Sequence, residues 1–169
     1  MGDRAQQDAL LELLNTTPVV NGVDEDHLAD PQAAARWQKA HGGRGTAAER
    51  KHLVETRDAL QAVARGQQPL TSLAPLFAGV AARPCFSPEG VTWQVEAPEE
   101  RRLAVGQLAT WSGLQETMPG RLRPCANPEC RRFLLDRSKA DGARWCSMAV
   151  CGNRMKARRH YERTRDAAG

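Results

Sequence analysis

The spacing of four cysteines constrains this chain more than any other feature. They read C-x4-C, Cys125 and Cys130, then fifteen residues, then C-x4-C, Cys146 and Cys151. Two close pairs across such a spacer form a zinc signature. Zn²⁺ accepts four thiolates in a tetrahedron with Zn–S of about 2.3 Å, and a short loop supplies two of them from one backbone turn. The first loop, "CANPEC", holds the turn dipeptide Asn127-Pro128. In the second, "CSMAVC", Ser147 is placed to cap a helix, which sets Cys151 about one turn inside it. One ligand pair on a loop and one at a helix start give a treble-clef-like finger. Four thiolates leave no open coordination position, so the ion is structural rather than catalytic.

Other uses of these thiols fit less well. Paired disulfides need an oxidising compartment. The start "MGDRAQQDALLELL" lacks the basic residues and long apolar stretch of an export signal, and its sixth residue is Gln6, not the Ser or Thr of a myristoylation signal. A redox pair calls for C-x-x-C in a βαβ pattern, and neither is present. An iron–sulfur cluster remains an alternative. Cys85 stands alone in "RPCFSPEG" and reads as an ordinary small buried residue. The spacer "RRFLLDRSKADGARW" has an apolar run at Phe133–Leu135 and a turn around Gly142, which predicts a small β-hairpin inside it.

Charge is divided unevenly along the chain. Residues 1–120 hold 11 Lys/Arg against 15 Asp/Glu, and residues 121–169 hold 13 against 5, so the whole net charge of +4 comes from the cysteine-bearing end. A cationic block of that kind points to a polyanionic partner. After Cys151 the chain continues "GNRMKARRHYERTR". On a helix, Cys151 and Met155 share one side, Arg154, Arg158, Tyr161 and Arg165 form a second stripe, and Lys156, Arg159 and Arg163 flank it. Past Met155 almost nothing is apolar, so such a helix buries little and projects its cations. That arrangement suits phosphate contacts and arginine contacts to base edges. Arg131, Arg132, Arg137, Lys139 and Arg144 widen the footprint from the spacer. Asp136, a lone acid among these cations, is expected to pair with Arg154.

The first 120 residues read as helical. Leu10, Leu11, Leu13 and Leu14 give residues 4–15 a broad apolar side. Asp30-Pro31 opens a second helix, stopped at Gly42-Gly43. "TAAE", residues 46–49, is a capping box for a third that ends near Gly66. Leu70, Leu73, Leu76, Phe77 and Val80 mark a fourth. Alternating Val91, Trp93 and Val95 with the turn "SPEG" predict a hairpin, and Pro98 opens a long helix that reaches about Met118. His27, His41 and His52 read as surface residues. No phosphate loop, G-x-S-x-G or other catalytic set is visible, and no run of about 18 apolar residues occurs.

The segment from Cys125 to Arg163 resembles the CGNR zinc-finger family. The first cysteine pair, "FLLDRS", "RWCSM" and "CGNR" carry the likeness. The resemblance implies a zinc-bound finger in bacterial transcription regulators that bind DNA, with Cys125, Cys130, Cys146 and Cys151 as ligands. Gly152 would then let the helix backbone approach the metal, and Asn153 and Arg154 would brace the hairpin or reach a partner. "LLELLNT" and "ADPQAAARWQKAHG" resemble the helical ABATE-like domain that precedes this finger, a regulatory domain. There Asn15 and Thr16 are candidate ligand contacts, against plain capping of the first helix.

Together these readings predict a mainly α protein: a helical bundle with a small β-hairpin over 1–120, then a small four-cysteine finger with a basic C-terminal helix over 121–169. The expected function is Zn²⁺-dependent DNA binding in transcriptional regulation, by a cytoplasmic protein that is not an enzyme and has no membrane partner. The bundle would bind a small-molecule effector or pair two copies into a homodimer. The alternative is a finger that docks protein, such as the transcription machinery, without touching DNA.

Overall fold

The computed structural model describes residues 4–166. Residues 1–3, where the leader reading begins, and 167–169, the last of the finger segment, lie outside the described residues.

Helix α1 (Arg4–Leu14) buries Leu10, Leu13 and Leu14. A minimal hairpin follows, β1 (Val19–Val20) and β2 (Val23–Asp24). Helix α2 (Pro31–Ala40) starts as its sequence implies: Asp30 accepts a hydrogen bond from the Ala33 amide, and proline takes the first position. Helix α3 (Ala47–Ala64) is capped by Thr46, whose hydroxyl accepts from the Glu49 amide. The capping box is only half formed. Glu49 is buried, and its carboxylate reaches past Thr46 to accept from the amides of Arg44 and Gly45, both at 2.9 Å.

The fourth expected helix is instead a 3₁₀ segment, Leu70–Phe77. Pro75 lies inside it, and without an N–H it cannot extend an α-helical ladder. Next come β3 (Ala81–Ser87) and β4 (Gly90–Glu96), a seven-residue antiparallel hairpin. Cys85 is only half-buried on it, because a two-stranded arm has no interior. A 3₁₀ turn, Glu99–Arg101, then leads into α4 (Arg102–Thr117). The long helix therefore starts one turn later than Pro98 implies.

Helices α1, α3 and α4 form the bundle, with α2 against α3. Its main core gathers Leu10, Leu14, Leu60, Leu73, Leu108 and Trp111. It also takes in Leu122 and Phe133, which lie beyond residue 120. These two belong to a third hairpin, β5 (Leu122–Pro124) with β6 (Phe133–Leu135), in which Pro124 faces Phe133 and Leu122 faces Leu135. The hairpin expected wholly inside the cysteine spacer is thus a different one. Its first strand precedes Cys125, because burial of the apolar run needs an apolar partner and Leu122 supplies it.

The loop between α1 and α2 is pinned by a buried cation. Arg57, 2% exposed, donates to both carboxylate oxygens of Asp26 at 2.6 and 3.0 Å and to the Thr16 hydroxyl at 3.1 Å. Burial is the largest influence on Asp26 and favours its neutral form, but the bonds from Arg57 and the Leu28 amide outweigh it and leave its pKa below the ordinary value. His41 is half-buried, its ring stacked on Trp37 with centroids 3.9 Å apart. No helix among the described residues is long and apolar enough to cross a membrane.

Candidate metal centre and its basic helix

The ligand loops are held by ordinary backbone chemistry. Asn127, fully buried, accepts from the Glu129 amide through its side chain and from the Cys130 amide through its carbonyl, closing the first loop around Pro128. Its side-chain N–H points at the Cys151 sulfur, 3.5 Å away. On the other side, Ser147 caps as expected, accepting from the Val150 amide at 3.3 Å. What it opens is a π-helical turn, Met148–Gly152, which runs into α5 (Asn153–Asp166). Cys151 sits in that wider turn.

These elements bring all four thiols together, with their sulfur atoms within 4.8 Å of one another. Cys146 Sγ lies 3.7 Å from both Cys130 Sγ and Cys151 Sγ. A tetrahedron with Zn–S of about 2.3 Å has S···S edges of about 3.8 Å. The cluster therefore fits Zn²⁺, and the separations are far too long for a disulfide at about 2.05 Å. Thiols this close oppose one another's ionisation: burial first, then the charge of Cys130, pushes the Cys146 thiol well above the usual thiol range. A divalent cation at the centre reverses that conflict and takes all four as thiolates. The Cys146 amide and Asn127 donate to the sulfurs of Cys125 and Cys151, which suits thiolates with surplus negative charge.

Gly152 sits in a tight space and does not need a special backbone angle. A Cβ there would meet the Met148 thioether at 2.8–2.9 Å and Trp145 at 3.2 Å. Asp136 pairs with Arg123 rather than with Arg154. The pairing follows from β5 and β6 being neighbours, which sets Arg123 beside the fully buried Asp136 carboxylate at 2.7 Å. The same carboxylate accepts from the amides of Ser138 and Ala143, each at 2.8 Å. Hydrogen bonding from the Ser138 side chain, then these amides and the Arg123 charge, overcome burial and hold its pKa down to about 2. Arg123 also reaches the Ala143 carbonyl and Asp141. This knot shapes the spacer between β6 and Cys146, and the sequence reading missed Arg123 and Asp141; it placed Asn127 in the loop turn but not its bond to the Cys151 sulfur. The pairing of β5 with β6, had it been recognised, would have pointed to Arg123.

The ten candidate cations divide into groups. Arg131 pairs with Asp24 and Arg137 with Asp8, both acids of the bundle. Arg154 and Arg158 converge on Glu129 of the first ligand loop at 3.8 and 3.6 Å, so Arg154 braces the loop that carries Cys130. Arg144 lies over the Trp145 ring. Arg132, Lys139, Lys156, Arg159 and Arg163 are exposed and make no ion pair among the described residues. No residue of α5 between Asn153 and Arg165 is fully buried, Met155 alone is half-buried, and Tyr161 is exposed.

Asn15 joins the two parts of the chain. Its side-chain oxygen accepts from the Phe133 amide at 2.7 Å, and its side-chain N–H donates to the Phe133 carbonyl at 3.2 Å. The amide thereby acts as a one-residue extra strand for β6. Arg65 adds a bond to the Arg131 carbonyl at 2.7 Å and stacks over the Phe133 ring. Thr16 is buried; its hydroxyl donates to the Leu13 carbonyl, closing α1, and accepts from Arg57.

Comparison with known proteins agrees with this geometry. Residues 121–164 match the CGNR zinc finger. Residues 7–126, well over half the chain, match ABATE, described as "Putative stress-induced transcription regulator". No curated protein matches the chain. The chain belongs to the ABATE family and carries a CGNR zinc finger, with a four-cysteine cluster suited to Zn²⁺, at its C-terminal end.

Proposed function

We propose that the protein regulates transcription by binding double-stranded DNA through α5 and the exposed cations of the finger. The observation that carries this reading is α5 itself, a helix with no buried residue through Arg165 whose Lys156, Arg159 and Arg163 are free of acidic partners among the described residues. Four thiolates on one ion fix the start of that helix, so its cations act as a rigid array. Lys156, Arg159 and Arg163 take phosphates, and Arg132, Lys139 and Arg144 extend the contact from the spacer. Residues 1–120 serve as the regulatory part. A cavity of about 420 Å³ between α1, the end of α2 and the start of α4, lined by His41, Glu49, Leu103 and Gln107, is the place for a small-molecule effector.

The test is duplex binding by the zinc-loaded chain at several salt concentrations, with bound DNA selected from a random pool. Affinity falls with salt, with a slope of about 0.9 per phosphate contact. Changing Lys156, Arg159 and Arg163 together to Glu abolishes binding and keeps the zinc. Exposed Met148 and Val150 at the head of α5 favour the second reading, docking on another protein. Absence of any salt-sensitive DNA affinity selects it.

A further inference from the structure

The hairpin β3–β4 has one wholly apolar face that none of the described residues covers. Residues directly opposed across an antiparallel pair point to the same side. The register sets Ala82 against Val95, Pro84 against Trp93 and Phe86 against Val91, so one face is apolar from root to tip. The other face carries the polar pairs, with Arg83 bridged to Glu96 at 2.9 Å. The apolar face is open: Phe86 is 80% exposed, Trp93 67%, Val91 53% and Val95 45%. An isolated two-stranded hairpin is marginal in water, and an apolar patch of this kind on an ordered arm marks a contact surface.

We infer that this face is the homodimer interface, and that its occupant is the same arm of a second copy. Self-complementarity argues for it. About a two-fold axis perpendicular to the arms, two arms lie antiparallel, so the tip of each, with Phe86, meets the root of the other. At the root lies a groove of about 480 Å³ between Trp93, Val95 and the small residues Gly106, Ala109 and Gly113 of α4. It gives the incoming ring a place to sit. Charge argues the same way. Residues 81–96 hold one Arg and two Glu, too weak a charge to attract a polyanion and too little to repel a copy of itself. Area fits as well. The two exposed rings offer on the order of 300 Å² per copy. Two copies thus bring roughly 600 Å² from the rings alone, and the valines and groove walls carry the total toward the ~1,200 Å² of a stable interface.

The inference extends the pairing role of the helical part and does not use DNA affinity, so its failure leaves the DNA-binding reading untouched. Sedimentation equilibrium of the full zinc-loaded chain up to about 100 µM tests it, since an interface of this size gives micromolar association or tighter. Wild type is expected to be a dimer. Phe86→Glu or Trp93→Glu, each entering a two-fold interface twice, is expected to raise the dissociation constant about a hundredfold or more. Zinc content and helical circular dichroism should stay unchanged. Mixing Phe86→Glu with Trp93→Lys should restore a mixed dimer, because the tip of one copy meets the root of the other. A wild type that is monomeric throughout, its arm left for a different protein, overturns the inference. So does a dimer that survives both single substitutions.

Discussion

Replacing Asn15 tests whether the finger is built into the bundle or only tethered to it. The side chain makes two bonds to the backbone of Phe133, 118 positions away. Phe133 is 1% exposed, so water has little access to its amide and carbonyl once Asn15 is removed. Two bonds are worth about 1 kcal/mol each, and a donor left desolvated costs about 1 kcal/mol more. Asn15→Ala should therefore destabilise by about 3 kcal/mol. For a chain of this size that lowers Tm by about 6–12 °C. Asn15→Leu fills similar volume without either bond, and should lose as much; it separates hydrogen bonding from packing. Calorimetry on the zinc-loaded protein reads both, and the finger and bundle should melt in one transition because Leu122 and Phe133 share the bundle core. An Asn15→Leu variant within about 0.5 kcal/mol of wild type, below the worth of one hydrogen bond, would refute the reasoning. Two separate transitions would refute it equally.

Four other outcomes are expected. Cys146→Ser loses the metal by elemental analysis and lowers Tm for the whole chain, because metal binding and folding are one equilibrium; an unchanged Tm counts against the shared core. Lowering pH should erase the contribution of Asp136: its folded pKa of about 2 lies below the ordinary carboxylate value, so its stabilisation is full above about pH 4 and disappears toward pH 2. The urea-midpoint gap between wild type and Asp136→Asn should close over that window, and a gap constant with pH would be inconsistent with it. Gly152→Ala should cost under about 1 kcal/mol in urea, since the atoms it meets include the movable end of Met148; a loss above about 3 kcal/mol would show that the backbone itself has to move. Finally, changing Lys156, Arg159 and Arg163 together to Ala, which removes the three charges without reversing them, should weaken DNA binding and reduce the salt slope by about 3, at about 0.9 per phosphate.

What the sequence revealed depended on how local each signal was. The cysteine spacing, the Ser147 cap, the Asp30-Pro31 start and the Thr46 cap all act within a turn or two of chain, and each is present in the structure. The errors arose where the partner lies far away. Phe133–Leu135 read correctly as extended, but its partner Leu122–Pro124 was hidden because three residues of strand carry no periodicity. Asp136 meets Arg123 rather than the expected Arg154 for the same reason. Pro75 broke a helix whose leucine spacing looked regular. Asn15 appeared to be a helix end, which it is, but nothing local shows that its amide faces a strand 118 residues later.

The acidic character of the bundle also acquires a role that composition alone does not disclose. Asp8 and Asp24 meet Arg137 and Arg131, and both pairs lie where β6 and its flanks dock on the bundle. Exposed pairs of this kind stabilise little. Their effect is directional. They neutralise the two cations nearest the bundle, and Glu129 engages Arg154 and Arg158 at the base of α5. Beyond those pairs, Lys156, Arg159 and Arg163 on α5 keep their charge free of acidic partners among the described residues. The cations left for the proposed DNA contact are therefore mainly those along α5, which have no acidic partner among the described residues. Reversing Asp8 and Asp24 to Lys tests this division. Their repulsion of Arg131 and Arg137 should loosen the finger and lower Tm slightly, while DNA affinity should rise because cations are added and two arginines are released. A fall in affinity at unchanged zinc content would show that the docked arginines, not the free ones, meet the phosphates.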